Sequence, residues 1–337
     1  MCLVSKRVVK GKTYYYLEES FKRGKKWVKE SIYLGPEKPG NEALLEAFDE
    51  LKKKCGRKKH AVLVPPLTEF IPNKKALQLQ AASEKKKKFL RRLTELQRED
   101  FVRRERITFI TDSNAIEGSS LNYSETSRII GQEKEIKKYE KKNIIVTGID
   151  REEQEALNLK ACLDRYDKYM RLEERLSEKM ILQLHYILLD RISGYEKYQG
   201  IYRPVKVYIA GSEHEFPLPQ EVPGMMKGLV QWLGENEKLV HPAELAAKFH
   251  TKFTGIHPFA DGNGRMARLL MNYILQQKGF PFTNIPLKRR AAYMKTQAAG
   301  NINNHKPFTG FLAEEIVRQH LKSGKKINAA GGDGAVR

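Results

Sequence analysis

The spacing of apolar positions changes once along this chain. Over the first 35 residues it suits strands. TYYYLEES and KKWVKESIYLG are rich in Tyr, Trp, Val and Ile, and Lys22-Arg23-Gly24-Lys25 between them predicts a turn. A β-hairpin is therefore expected, ended by Gly35, Pro36, Pro39 and Gly40. A short helix is predicted over NEALLEAFDELKKK, and residues 59–73, with three prolines, predict an extended linker and a domain boundary.

Beyond the linker the spacing becomes helical. Phe89, Leu90, Leu93, Leu96, Phe101 and Ile107 recur every three or four residues between 74 and 117. Asp150 with Glu153 three residues on has the pattern of a capping box. Further helices are predicted over EALNLKACLDRYDKYM, SEKMILQLHYILLDRI, QEVPGMMKGLVQWL and PAELAAKFHTKFTGI. Residues 203–219 interrupt them: Val205, Val207 and Ile209 alternate before Ala210-Gly211, with Pro217 and Pro219 beyond, which predicts a small inserted hairpin. The expected organisation is a basic β-hairpin region at 1–58, the linker at 59–73, a helical domain at 74–322 and a disordered tail at 323–337.

Composition narrows the partners. The 337 residues carry 62 Lys and Arg against 41 Asp and Glu, a net charge of +21, which draws polyanions but says nothing of fold. Residues 51–100 hold 15 basic and 5 acidic side chains, chiefly in the runs 52–54, 57–59 and 85–88. Such runs suit a solvated helix face, and equally a surface that grips nucleic acid by its phosphates or an acidic protein. No apolar run reaches the ~18 residues a membrane span needs, and the start has no signal-peptide stretch. Three distant cysteines (Cys2, Cys55, Cys162) argue against a disulfide framework and for a reducing, cytoplasmic setting.

The segment with chemistry is HPFADGNGRMARLLMNYIL, residues 257–275. A helix is expected to end near Ile256 and another to begin near Asn263, burying Met266, Leu269, Leu270 and Tyr273. Gly262 and Gly264 at that start let a ligand approach the backbone, and the free N–H groups with the positive dipole end make an anion site. Arg265 adds a guanidinium fork, and Arg268, three residues on, reaches a second phosphate. Asp261 suits one Mg²⁺ whose other ligands are waters and phosphates. His257 has an ordinary pKa near pH 7 and so can accept a proton. Together these describe a site for nucleotide phosphate transfer.

HPFADGNGRMAR resembles, without departure, the Fic-family signature HPFx[D/E]GNGRxxR, and the likeness extends over roughly residues 100–320. The resemblance implies a mainly α fold, a Fic-type helical bundle with an inserted β-hairpin flap. It implies transfer of AMP from ATP, with Mg²⁺, to a hydroxyl of a target protein. His257 would be the base, Asp261 the metal ligand, Gly262, Asn263 and Gly264 the anion hole, and Arg265 and Arg268 the grip on the phosphate chain. Met266 and Ala267 fall within the same nucleotide-binding stretch, and Phe259 would anchor the loop in the core.

A second element matches the family's inhibitory motif [S/T]xxxE[G/N]: Ser113-Asn114-Ala115-Ile116-Glu117-Gly118. Glu117 would lie at a helix end closed by Gly118 and pair bidentately with Arg268, keeping it from the γ-phosphate. The motif precedes the signature, as in the subclass with an N-terminal inhibitory helix, whose members are often dimers. The tip of the flap would be Gly211, Ser212, Glu213 and His214, which lays the target segment beside the site by strand pairing. Of the aromatic pair and Asn that surround adenine and ribose, Tyr293 and Asn301 are present, with Ala292 in place of the first Tyr. His250 is expected to pack or cap, and His185 lacks metal-ligand spacing. Other readings stay open. They are removal of AMP from a modified protein, self-modification, transfer from another nucleotide, and a nucleotide-sensing regulator that binds nucleic acid through its basic N-terminal third.

Overall fold

The computed structural model describes residues 2–23, 26–37, 39, 41–54, 68–140, 149–208 and 214–321. The chain divides into two units, one of residues 1–69 with 235–241 and one of 70–234 with 242–337. Residues 59–67 of the expected linker and the whole of 323–337 lie outside the described residues.

In the first unit the expected hairpin is a three-stranded antiparallel meander: β1 (Cys2–Val9), β2 (Lys12–Arg23) and β3 (Lys26–Gly35). The extra strand is β1. Lys10, at φ 49°, and Gly11, at φ 76°, make the left-handed turn that joins it to β2. Leu17 pairs in register with Val4 on one side and Ile32 on the other. Leu17 and Ile32 form a small core with Ala47 and Leu51 of α1 (Asn41–Lys54), flanked by Val4, Val28 and Leu34.

The second unit is helical: α2 (Asn73–Arg92), α3 (Glu95–Ile116), α4 (Tyr123–Glu140), α5 (Arg151–Arg171), α6 (Glu178–Leu188), α7 (Val222–Asn236), α8 (Pro242–Ile256), α9 (Asn263–Gln277), α10 (Arg290–Asn301) and α11 (Lys306–His320). The long helical pattern from 74 to 117 breaks at Leu93, whose ψ is 142°. Thr94 restarts it with a reciprocal capping box to Gln97, and Leu96 is left exposed on the new first turn. Asp150 caps α5 by accepting the Glu153 N–H at 2.8 Å. Helix α4 is not legible in the sequence: among the described side chains of 123–133, Thr126, Ile129 and Glu133 are the buried ones, a thin apolar stripe. Within the run 85–88, Lys86 is no solvated charge. Its ammonium sits 2.6 Å from Glu105 and 3.9 Å from the Phe101 ring centre, tying α2 to α3.

The core of this unit forms where α8 and α9 pack together. Phe249, Phe253, Phe259, Leu269, Leu270, Tyr273, Phe308 and Leu312 are all at 0% exposure there. Removing one such aromatic costs about 3–5 kcal/mol, enough to unsettle the α8–α9 connection. The inserted hairpin is not seen as a ladder: residues 203–208 and 214–218 run without strand pairing, and 209–213 lie outside the described residues. Pro204 and Pro217 carry no N–H for a ladder, and side-chain donors replace it.

Candidate active site

The site is built where α8 ends, a loop turns and α9 begins. His257 stands at the turn with φ 51°, a left-handed conformation that strains a non-glycine residue. Two bonds hold it: its N–H donates to Phe253 O at 3.0 Å, and its carbonyl accepts Arg203 Nε at 2.7 Å. The same Arg203, 2% exposed, donates to Val205 O at 3.0 Å and Pro217 O at 2.7 Å, while its own N–H reaches Pro258 O at 2.9 Å. One guanidinium thus gathers both arms of the inserted segment and the histidine loop.

Burial, then the positive charge of Arg203, pushes the His257 pKa down to about 4. The ordinary pKa expected from sequence is therefore corrected: the imidazole is neutral at pH 7, with a hydrogen bond to the Thr254 backbone. The Phe216 ring lies 4.5 Å from it and the His214 ring 4.8 Å from Phe216. His214 is thus near the histidine, whereas Gly211, Ser212 and Glu213 fall outside the described residues.

The loop after His257 is clasped from below. Asn263 spends its side chain on Phe259, accepting its N–H at 3.0 Å and donating to its carbonyl at 2.8 Å. Phe259 stacks on His185, ring centres 3.6 Å apart and planes 5° apart. His185 accepts the Gly200 N–H at Nδ1 (3.2 Å), so its Nε2 carries the proton it donates to Asp261 O at 3.1 Å. Burial pushes the His185 pKa down to about 4, which keeps it neutral. Sequence reasoning missed this role, because a single histidine on an apolar helix carries no spacing signal.

Gly262 begins α9 at φ 77°, and a Cβ there would lie 2.8 Å from Leu188. It offers no side-chain cap, so the first-turn amides of α9 face outward as an anion cradle. Asp261 Oδ1 accepts the Gly262 N–H at 2.6 Å, while Oδ2 lies 3.3 Å from both Arg265 and Arg151. Among the described residues no group of three or more His, Cys, Asp or Glu could hold a metal. A single carboxylate beside an anion cradle, its side chain 28% exposed, fits a hard cation that arrives on phosphates, and Asp261 would hold it.

The two arginines differ. Arg265 is 3% exposed and turned toward Asp261 and Glu155, 3.3 Å from each; this braces α9 against α5 rather than opening onto the cradle. Arg268, 1% exposed, donates from Nε to Ser113 Oγ (2.9 Å), from Nη1 to Tyr293 OH (3.2 Å) and from Nη2 to Ser113 O (2.8 Å) and Glu117 Oε1 (2.7 Å). The Glu117 contact is single, not bidentate: Ser113 and Tyr293 take three of the other four N–H groups. Gly118, at φ 113°, closes α3 as expected: its N–H reaches Ala115 O and the Ser119 N–H reaches Asn114 O, a Schellman end. That end aims Glu117 at the cradle, where a Cβ on Gly264 would sit 2.2 Å from Oε1.

Other expected residues land elsewhere. Met266 and Ala267 are at 0% exposure, facing the core and not a ligand. Tyr293 is 1% exposed; its hydroxyl lies between Arg268 and His250 Nε2 (3.1 Å), so it supports the arginine from beneath and does not line a base site. His250 packs, as expected, stacked 4.2 Å from Phe308. Asn301 does line a cleft of about 680 Å³, with His214, Phe216, Gly255, Ile256 and Gly300 around it.

Residues 175–275 match the model of the Fic/DOC family. A protein adenylyltransferase Fic of Nematostella vectensis is 32% identical over 219 residues, 64% of this chain and 48% of that protein. One of Drosophila melanogaster is 37% identical over 137 residues, 40% of this chain and 27% of that protein. The chain thus spans about half or less of the length of these curated relatives. Among solved structures, a Fic-domain signaling protein of Bacteroides thetaiotaomicron aligns at TM-score 0.59 and 25% identity, covering 72% of this chain and 94% of that one. Fic-1 of C. elegans (aa134–508) aligns at TM-score 0.60 and 23% identity, covering 83% and 76%, and shares the fold. Signature, family match and mainly helical fold agree that residues 175–275 of this chain form a Fic domain.

Proposed function

We propose that this chain transfers AMP from ATP to a hydroxyl side chain of a protein, with Mg²⁺ on the phosphates, and that Glu117 restrains the reaction. The observation that carries the reading is the Glu117 carboxylate, held 2.7 Å from Arg268 and against Gly264 at the start of α9. An acid stands where a helix N-terminus and a buried arginine would otherwise take phosphate.

The chemistry follows from the side chains. The target hydroxyl oxygen attacks the α-phosphorus, the bond from that phosphorus to the pyrophosphate oxygen breaks, and neutral His257 takes the hydroxyl proton on the ring nitrogen not bonded to Thr254. The amides of α9 stabilise charge on the phosphate, and Arg268, freed of Glu117, holds its far end. Asp261 would hold Mg²⁺, which neutralises phosphate charge. The cleft at Asn301 would take the base. A cytoplasmic setting supplies ATP and suits three widely spaced cysteines.

The test is labelling by isotopic ATP and Mg²⁺ of the Glu117→Gly protein and of Glu117→Gly with His257→Ala. The expected result is strong labelling of itself or of lysate proteins in the first and none in the second, with nucleotide still bound. Labelling that survives loss of His257 would overturn the assignment of the base. A second reading, removal of AMP from a modified protein, draws on Glu117 being 39% exposed and electrostatically coupled to His257, where it can orient a water. Release of AMP from a pre-labelled target by the unsubstituted protein, lost in Glu117→Gly, would favour it.

A further inference from the structure

The β1–β3 sheet buries one face, through Leu17 and Ile32, against α1. Strand alternation puts Arg7, Tyr16, Glu18, Trp27, Lys29 and Tyr33 on the other. These side chains form a continuous strip. The Arg7 guanidinium lies 4.3 Å over the Tyr16 ring, and Tyr33 packs 5.3 Å from Tyr16. Glu18 is held by both Arg7 and Lys29, the latter at 2.8 Å, and is only 7% exposed. The one acid of the strip is thereby neutralised and covered. Its two cations remain solvent-exposed, with side chains at 47% and 56%, and Trp27 and Tyr33 are 71% and 52% exposed.

We propose that this outer face of the sheet binds single-stranded nucleic acid, a role separate from the phosphate-transfer site. Two features select that occupant. Residues 1–35 carry nine Lys and Arg against three Glu, so the complementary surface is a polyanion. Exposed aromatic faces on a sheet stack on unpaired bases, whose π-faces a duplex hides, while Arg7 and Lys29 meet the intervening phosphates. The lysine runs at 52–54 and 85–88 can add long-range attraction but no stacking.

The test uses the full-length protein and the anisotropy of fluorescein-labelled oligo(dT), oligo(U) and a duplex of equal length. Expected is binding of one or both single strands at about 50 mM salt, weaker by at least ~10-fold at about 200 mM. The duplex is expected to bind at least ~10-fold more weakly than the better single strand. Trp27→Ala and Tyr33→Ala should each weaken single-strand binding by ~5-fold to ~100-fold, the range for loss of one stacked base. Both positions are exposed, and circular dichroism checks that the sheet persists in each variant. Equal affinity for duplex and single strand, variants that bind like the parent, or no binding at low salt would each overturn the proposal. The dT and U arms separate DNA from RNA as the ligand, and tight binding to either supports it.

Discussion

Glu117 Oε1 lies 2.7 Å from Arg268 Nη2, although the two residues are 151 positions apart in the chain. The bond joins the end of α3 to the second turn of α9, and it joins two sequence motifs into one electrostatic unit. Arg268 is almost wholly buried and its acid partner is partly exposed, so the partner can be displaced while the arginine cannot leave. A phosphate is the natural competitor.

Glu117→Gly should therefore gain activity and lose stability. The substitution leaves a buried guanidinium one acceptor short, a loss of about 1–3 kcal/mol. ATP would supply the missing anion. Differential scanning fluorimetry should show a lower midpoint for the variant than for the parent without nucleotide, and a larger rise on adding ATP. An equal ATP shift in both proteins would mean that Glu117 does not compete with phosphate.

Gly264→Ala tests the cradle from the other side. The position is helical, so the backbone accepts Ala, but the new Cβ would stand 2.2 Å from Glu117 Oε1. The carboxylate must move off, and the same methyl crowds an incoming phosphate. In a Glu117→Gly background, titration with ATP should show affinity reduced by at least ~10-fold, about 1.4 kcal/mol. Unchanged affinity would place the phosphates elsewhere.

Arg203 holds the backbone of His257, the proposed base. Its guanidinium donates to the carbonyls of His257, Val205 and Pro217, so it holds the strained φ of the histidine and both arms of the 203–219 segment. Arg203→Met on a Glu117→Gly background should lower kcat by ~10-fold to ~1,000-fold and leave ATP affinity within about 3-fold, since the α9 cradle is intact. Arg203→Lys should recover part of the loss, with one or two of the bonds restored. Loss of ATP binding in step with kcat would indicate general unfolding instead.

Among the described residues of the helical unit, burial holds four histidines neutral: His185, His250, His257 and His320. His185 and His257 have pKa values pushed down to about 4, and that of His250 lies well below its ordinary value, lowered by burial and then by the charge of Arg268. In the unfolded chain each titrates near 6.5. The unfolded state thus binds more protons between about 4 and 6.5, and stability must fall as pH drops through that window. His185 and His257 each contribute up to about 3 kcal/mol. Thermal midpoints should decline steadily from pH 7 to 4.5. The labelling rate of Glu117→Gly, measured where the protein stays folded, should keep its base active well below pH 6.5. A rate that halves near pH 6.5 would contradict a neutral, buried His257.

Much of this site is local chemistry and could be read directly. HPFADGNGRMAR specifies a helix end, a loop and a glycine-opened helix start because each depends on residues within one or two turns of each other. The Schellman end that aims Glu117 is local for the same reason, with Gly118 supplying the positive φ. The sheet of the first unit shows in its alternation, yet β1 does not, since its apolar positions gain meaning only when paired with β2.

The amino-acid sequence carries the local chemistry: a histidine at a helix end, a glycine-opened helix start, two arginines, a glutamate at a closed helix end and an excess of positive charge. Packing assigns each its partner. Arg265 and Arg268 are three residues apart and chemically identical, yet packing turns one to Glu155 and Asp261 and the other to Ser113, Tyr293 and Glu117. Tyr293 is a buried support for Arg268, and His185 and Arg203 support the loop after His257, for the same physical reason. A buried polar group must find its partner wherever the fold brings one, and most of these partners lie tens of residues away, beyond any spacing rule.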